Sequence, residues 1–172
     1  MIEFELKGFS DLQKRLQELP GKLQRKVMAG AVKEASGVIK QAAQANAPIA
    51  AENIYRKAIH KTGKKAGQHY KAKLAPGTLK RSIGIRQKRK GVSQGQVVFQ
   101  IGPSKKAFYG QFVEKGHVLR KKIKGPIIGH VPAYPFLRPA IEQNAERAVE
   151  VMRQRIAEGL DRIVAEGNSR AA

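Results

Sequence analysis

Four histidines, His60, His69, His117 and His130, are the first candidates for chemistry, and their spacing gives neither a close metal-ligand pair nor an H-E-x-x-H arrangement. They read as solvent-facing or loop residues, and no metal is expected. Two-metal phosphoryl chemistry needs several carboxylates converging on a basic, substrate-holding surface. Between residues 56 and 124 the only acid is Glu114. Lys61-Thr62-Gly63-Lys64-Lys65 holds the letters of a phosphate-binding loop in the wrong order, and neither G-x-x-x-x-G-K-[ST] nor G-x-S-x-G occurs. The absence of cysteine removes thiolate metal sites and disulfides, so stability must come from packing. The expectation is a non-enzymatic protein without a cofactor.

What the chain does offer is positive charge, a net +21 that is unevenly placed. Twenty Lys or Arg lie between residues 56 and 124 against that single acid, whereas the other fourteen bases are matched by twelve acids. Clustered charges repel one another within a Debye length of about 8 Å and favour an anionic partner at close range. The candidate partner-facing residues are Arg56, Lys57, Lys61, Lys64, Lys65, Lys71 and Lys73, then Lys88, Arg89 and Lys90, then Arg120, Lys121, Lys122 and Lys124. Nucleic acid or an acidic protein surface would suit them. A solubilising loop set is the plainer reading of lysine runs taken alone.

The elements that must carry these residues are legible from periodicity. Ile2, Phe4 and Leu6 alternate with charged residues as in a half-buried strand, and no basic leader or long apolar run precedes or follows them. The reading is therefore a soluble protein, compatible with synthesis in the cytoplasm. Ser10 and Gln13 form a capping-box signature, followed by Leu12, Leu16 and Leu19 at helical spacing up to Pro20-Gly21. A second, long amphipathic helix carries Leu23, Val27, Ala31, Ala35, Val38, Ala42 and Ala45 and stops at Pro48. Residues 50–75 read as a basic arm without clear periodicity, one that orders on assembly. Residues 79–87 and 96–101 read as strands of a hairpin with a basic tip, and 107–113 as a short helix or a third strand. Residues 118–131 read as a second basic loop, and from about Pro139 a C-terminal helix runs until Gly167-Asn168 frays it.

Ahead of that helix, Val131-Pro132-Ala133-Tyr134-Pro135-Phe136-Leu137-Arg138-Pro139-Ala140 packs three prolines into a short apolar run. Each ring disfavours helix at the residue before it, so the chain should approach Pro139 extended. Tyr134, Phe136 and Leu137 read as core plugs in preference to partner anchors, since an apolar run before a packed helix normally fastens that helix to the sheet. Upstream, Phe108-Tyr109-Gly110-Gln111-Phe112-Val113-Glu114-Lys115-Gly116 sets aromatic groups beside one carboxylate and a turn glycine. Glu114 reads either as a loop-end surface charge or as an anchor for the basic loop after it or for a neighbouring subunit.

A tyrosine-containing stretch ending in Val-Glu-x-Gly, a variable loop, and Pro-Ala-x-Pro-Phe-Leu-Arg-Pro-Ala entering a final helix resemble the tail-completion, or neck, family of tailed bacteriophages. Gly8-Phe9-Ser10-Asp11-Leu12, Ala47-Pro48 and Gly77-Thr78-Leu79-Lys80-Arg81-Ser82-Ile83 follow the same order of landmarks. His117 stands where the family usually has threonine. The resemblance implies an α+β fold in one domain spanning 1–172: a small antiparallel β-sheet packed against a long N-terminal helix and a C-terminal helix, with long basic loops and an insertion at 50–75. Its motif residues would be Tyr109, Glu114, Gly116, Pro132, Pro135, Phe136, Leu137, Arg138 and Pro139. It further implies a virion protein, assembled in the host cytoplasm, that forms a homo-oligomeric ring at the head-tail junction. Its neighbours there would be head-completion or connector proteins and tail-terminator or tail-tube proteins, with genomic DNA within reach of the basic loops. The rival readings are a nucleic-acid-binding protein and a tail-terminator-like component.

Overall fold

The computed structural model describes residues 9–59, 64, 67–88, 96–121 and 125–171. The strand expected at residues 2–6 lies outside them. Helix α1 spans Phe9–Gln17 and α2 spans Gly21–Asn46. Pro20 separates them without wasting its carbonyl, which accepts the N–H groups of Leu23 at 2.8 Å and Gln24 at 3.0 Å. The last long helix, α5, spans Leu137–Ala171 and so runs on through Gly167-Asn168, where fraying was expected.

Residues 50–75 are corrected from an irregular arm to an antiparallel pair, β1 (Ile54–Ile59) and β2 (His69–Leu74), with Ile54 opposite Leu74 and Ile59 opposite His69. Cross-strand pairing, which no window of sequence displays, supplies the order that hydrophobic periodicity lacks here. Strand character expected from residue 79 begins only at β3 (Ile83–Lys88), because Thr78–Ser82 form a single helical turn, α3. Local hydroxyl bonds explain the difference: Thr78 donates to the Ala75 carbonyl at 2.6 Å and Ser82 to that of Leu79 at 2.7 Å. Such bonds compete with a strand ladder. Gly77, at φ +74°, makes the left-handed step into this turn.

Strand β4 (Val98–Pro103) pairs with β3, and their basic tip at 89–95 is outside the described residues. A 3-10 turn at Lys105–Ala107 leads to helix α4, Gly110–Lys115, which settles the choice left open for 107–113. The second basic loop is also corrected, since β5 (His117–Arg120) pairs antiparallel with β6 (Ile127–Val131). The class is α+β, and among the described residues its strands form three separate two-stranded sheets.

The chain gathers into two compact units. The first comprises residues 1–42, 85–101 and 141–172, and the second residues 43–84 and 102–140. In the first, Leu16, Val27, Ala31, Ile156 and Leu160 form a buried cluster, with Leu12, Leu19, Met28, Met152 and Ile163 packed against it. Gly159 permits that packing: a Cβ there would lie 2.9 Å from Val27 Cγ1. Exposed ion pairs, Arg15 with Asp161 at 3.1 Å and Arg155 with Glu34 at 3.0 Å, border the cluster. In the second unit Ala43, Ala47, Leu74, Leu79, Ile83, Ala107, Phe136 and Ala140 are buried. Gln44 ties this unit together from the end of α2, its amide donating at 3.3 Å to the carbonyls of both Lys80 and Ile83.

Candidate assembly surface

The two motif stretches converge in the second unit, and Glu114 is where they meet. Its Oε2 accepts the backbone N–H groups of Phe136 at 2.8 Å and Leu137 at 2.9 Å, and its Oε1 accepts that of Arg138 at 3.0 Å. A helix start leaves several N–H groups without internal partners. Here three are taken by one carboxylate, and the next residue, Pro139, has none to satisfy. Helix α5 consequently begins at Leu137, two residues before Pro139. Arg138, expected extended because it precedes proline, is helical for the same reason: the anion at the positive end of the helix dipole favours the turn. Val131 and Tyr134 are non-helical, as expected.

Burial works to raise the Glu114 carboxyl, but the N–H groups of Leu137, Phe136 and Arg138, with the Arg138 charge, outweigh it and hold the group below the ordinary carboxylate range. The side chain is therefore an intramolecular cap and not a free loop-end charge. Gly116 completes the junction. At φ +69° it occupies a region that side chains avoid, and a Cβ there would lie 2.7 Å from the Val131 carbonyl oxygen and 2.8 Å from the Ala133 nitrogen. The Tyr134 N–H donates to the Val113 carbonyl at 2.8 Å. Val-Glu-x-Gly and the proline block are thus two halves of one clasp.

Phe136 is fully buried and Leu137 partly so, as expected of core plugs, whereas Tyr134 is 59% exposed and plugs nothing. Pro132 and Pro135 are exposed, and Pro139 is partly buried in the first turn of α5. Tyr109 leads into α4, where Gly110 is required because a Cβ would meet Pro103 Cγ at 2.7 Å and Leu79 Cδ1 at 2.8 Å. With Pro48, Ile49, Leu79 and Val113, Tyr109 lines an apolar cleft of about 200 Å³, and burial pushes its phenol pKa up.

Outward from the clasp lies a surface that sequence reasoning missed. The β5–β6 pair exposes Val118, Leu119, Ile127 and Ile128, the last at 65%. Beside it the rings of Phe108 and Phe112 meet edge-on at 6.4 Å, and Phe112 lies 5.5 Å from the His117 ring. Both aromatic side chains are exposed. Isolated two-stranded pairs are marginal in water, and because successive strand residues face opposite sides, Val118 with Leu119 and Ile127 with Ile128 leave apolar groups exposed on both faces of this one. The run of Arg120, Lys121, Lys122 and Lys124 drew attention from the adjacent apolar pairs Val118-Leu119 and Ile127-Ile128.

The basic candidates are dispersed. Arg56 and Lys57 stand on β1, Lys71 and Lys73 on β2, and Lys64 in an exposed turn between them. Lys88 ends β3, exposed, and Arg120 ends β5 with its guanidinium donating to the Gly125 carbonyl at 2.9 Å. Lys121 follows it, exposed, and its backbone N–H contacts the Pro126 carbonyl at 3.5 Å. Lys61, Lys65, Arg89, Lys90, Lys122 and Lys124, with His60, lie outside the described residues. His69, His117 and His130 are exposed, and among the described residues no group of acids and histidines could hold a metal ion. No helix among them is long and apolar enough to cross a membrane.

The second unit joins the two motif stretches through Glu114 and carries exposed apolar groups on its β5–β6 pair. The chain matches the family described as "Bacteriophage HK97-gp10, putative tail-component" over residues 10–116, well over half its length. It belongs to that family, and is a structural tail component of a bacteriophage virion. The match takes in Glu114 and Gly116 and stops short of the proline block they engage. No curated protein and no solved structure is significantly similar to the chain.

Proposed function

We propose that this tail component acts at the head-tail junction, where copies of it close into a ring that completes the tail and joins it to the capsid connector. Its role is mechanical, with no catalysis and no cofactor. The observation that carries the reading is the apolar surface of the second unit, where Ile127, Ile128, Val118 and Leu119 project from a strand pair beside Phe108 and Phe112. A surface of this kind costs solubility and aggregation resistance in a lone protomer and gains stability once a neighbour covers it. Rings require two different complementary patches on each subunit, because a rotational interface is heterologous. The uneven charge supplies a second asymmetry, since seventeen Lys or Arg and only two acids, Glu52 and Glu114, fall in the second unit, while eleven of the thirteen acids fall in the first.

Deleting the gene from the phage tests this. The expected products are filled heads and free tails that fail to join, restored to infectious particles by the protein supplied in trans. Normal tailed virions from the deletion would refute the junction role, and heads without any tails would move the protein to tail-tube assembly.

A further inference from the structure

We infer that the β1–β2 ribbon is a binding face for the phosphate backbone of double-stranded DNA. This goes beyond the junction reading and does not depend on it. The register sets Tyr55 opposite Lys73, Lys57 opposite Lys71 and Ile59 opposite His69. These six positions share one face of the pleat, the face opposite that of buried Leu74. Tyr55 is 60% exposed, and Lys71, Lys73 and His69 are exposed as well. Like charges gathered on one face repel one another, and Lys71 and Lys73 stand two residues apart on the same face of β2. Among the described residues Lys71 and Lys73 make no ion pair. An external anion supplies what the protein withholds.

Three features select duplex DNA as that anion. Lys71 and Lys73, two residues apart on a strand, stand about 6.6 to 6.8 Å apart, close enough to engage a closely spaced row of phosphates. The unit that holds the ribbon carries seventeen Lys or Arg and only two acids, Glu52 and Glu114, so few carboxylates oppose a polyanion there. Single-strand platforms stack bases on successive aromatic side chains, and this face offers only Tyr55.

The test is fluorescence anisotropy of the full-length protein with a short labelled duplex across a salt series. The native chain should bind with a log-affinity that falls linearly with log salt. Lys71→Ala/Lys73→Ala should make the slope shallower by about 2 and weaken binding on the order of tenfold or more near physiological salt. The equally charge-depleted Lys22→Ala/Arg25→Ala, on α2, should bind nearly as the native chain does, and Lys71→Arg/Lys73→Arg should retain affinity. Absence of binding, or equal weakening by both alanine pairs, would overturn the inference. So would polyglutamate competing as effectively as DNA at equal charge, which would assign the face to an acidic protein, or a Lys71→Ala/Lys73→Ala chain that loses only solubility, which would reduce the lysines to edge protection.

Discussion

Glu114 reaches across twenty-two residues to accept the Phe136 N–H at 2.8 Å, and with Leu137 and Arg138 bound to the same carboxylate it starts α5. Glu114→Gln keeps the shape but replaces one acceptor oxygen by a donor facing N–H groups, and removes the charge at the helix start. It should lower unfolding free energy by about 1–2 kcal/mol, with Glu114→Ala lower still, as urea denaturation measures. Equal stability of all three chains would remove the clasp from the account.

Acid sensitivity follows from the same contact. The folded Glu114 carboxyl titrates below its ordinary value, so its contribution is fully present above the unfolded pKa and is lost as pH falls through the depressed folded one. Between those two values the native chain should lose stability more steeply than Glu114→Gln, whose cap does not titrate. Melting temperatures recorded across that window for both chains measure the difference.

Gly116→Ala should cost at least about 2 kcal/mol, because positive-φ strain adds to a clash with backbone atoms of Val131 and Ala133. Gly102, whose added Cβ would meet nothing within 4 Å, is the control. Gly102→Ala should be close to neutral in the same denaturation series.

Phe136 is fully buried, and Phe136→Ala should remove about 3–5 kcal/mol through lost transfer energy and the cavity left behind. Tyr134, only two residues away and exposed, should tolerate alanine within about 0.5 kcal/mol of the native chain. Differential scanning fluorimetry of the pair separates the core plug from the surface ring.

Ile128→Asp places a charge on the exposed β6 surface, where nothing in the protomer opposes it. The melting temperature should hold. Self-association in light scattering, and complementation of a deletion phage, should both fall.

The helices were legible because one buried stripe imposes a period on local sequence: Leu12 and Leu16, or Val27 and Ala31, announce their own partners. Pairings between distant segments leave no such trace. Nothing near Glu114 points to Phe136, and Leu79 reads as a strand residue until the hydroxyls of Thr78 and Ser82 are seen bonded to backbone. The 50–75 segment looked irregular because a pair of strands held by its ladder needs few apolar side chains. Lysine-rich flanks concealed the exposed apolar residues of β5 and β6 in the same way. Charge segregation, by contrast, is a property of the sequence itself and was visible at once.

Imaging of purified virions that carry an electron-dense label on this protein locates it in the particle. Density should form a closed collar where the tail meets the capsid. Label distributed along the tube or at the distal tip would rule out the junction role.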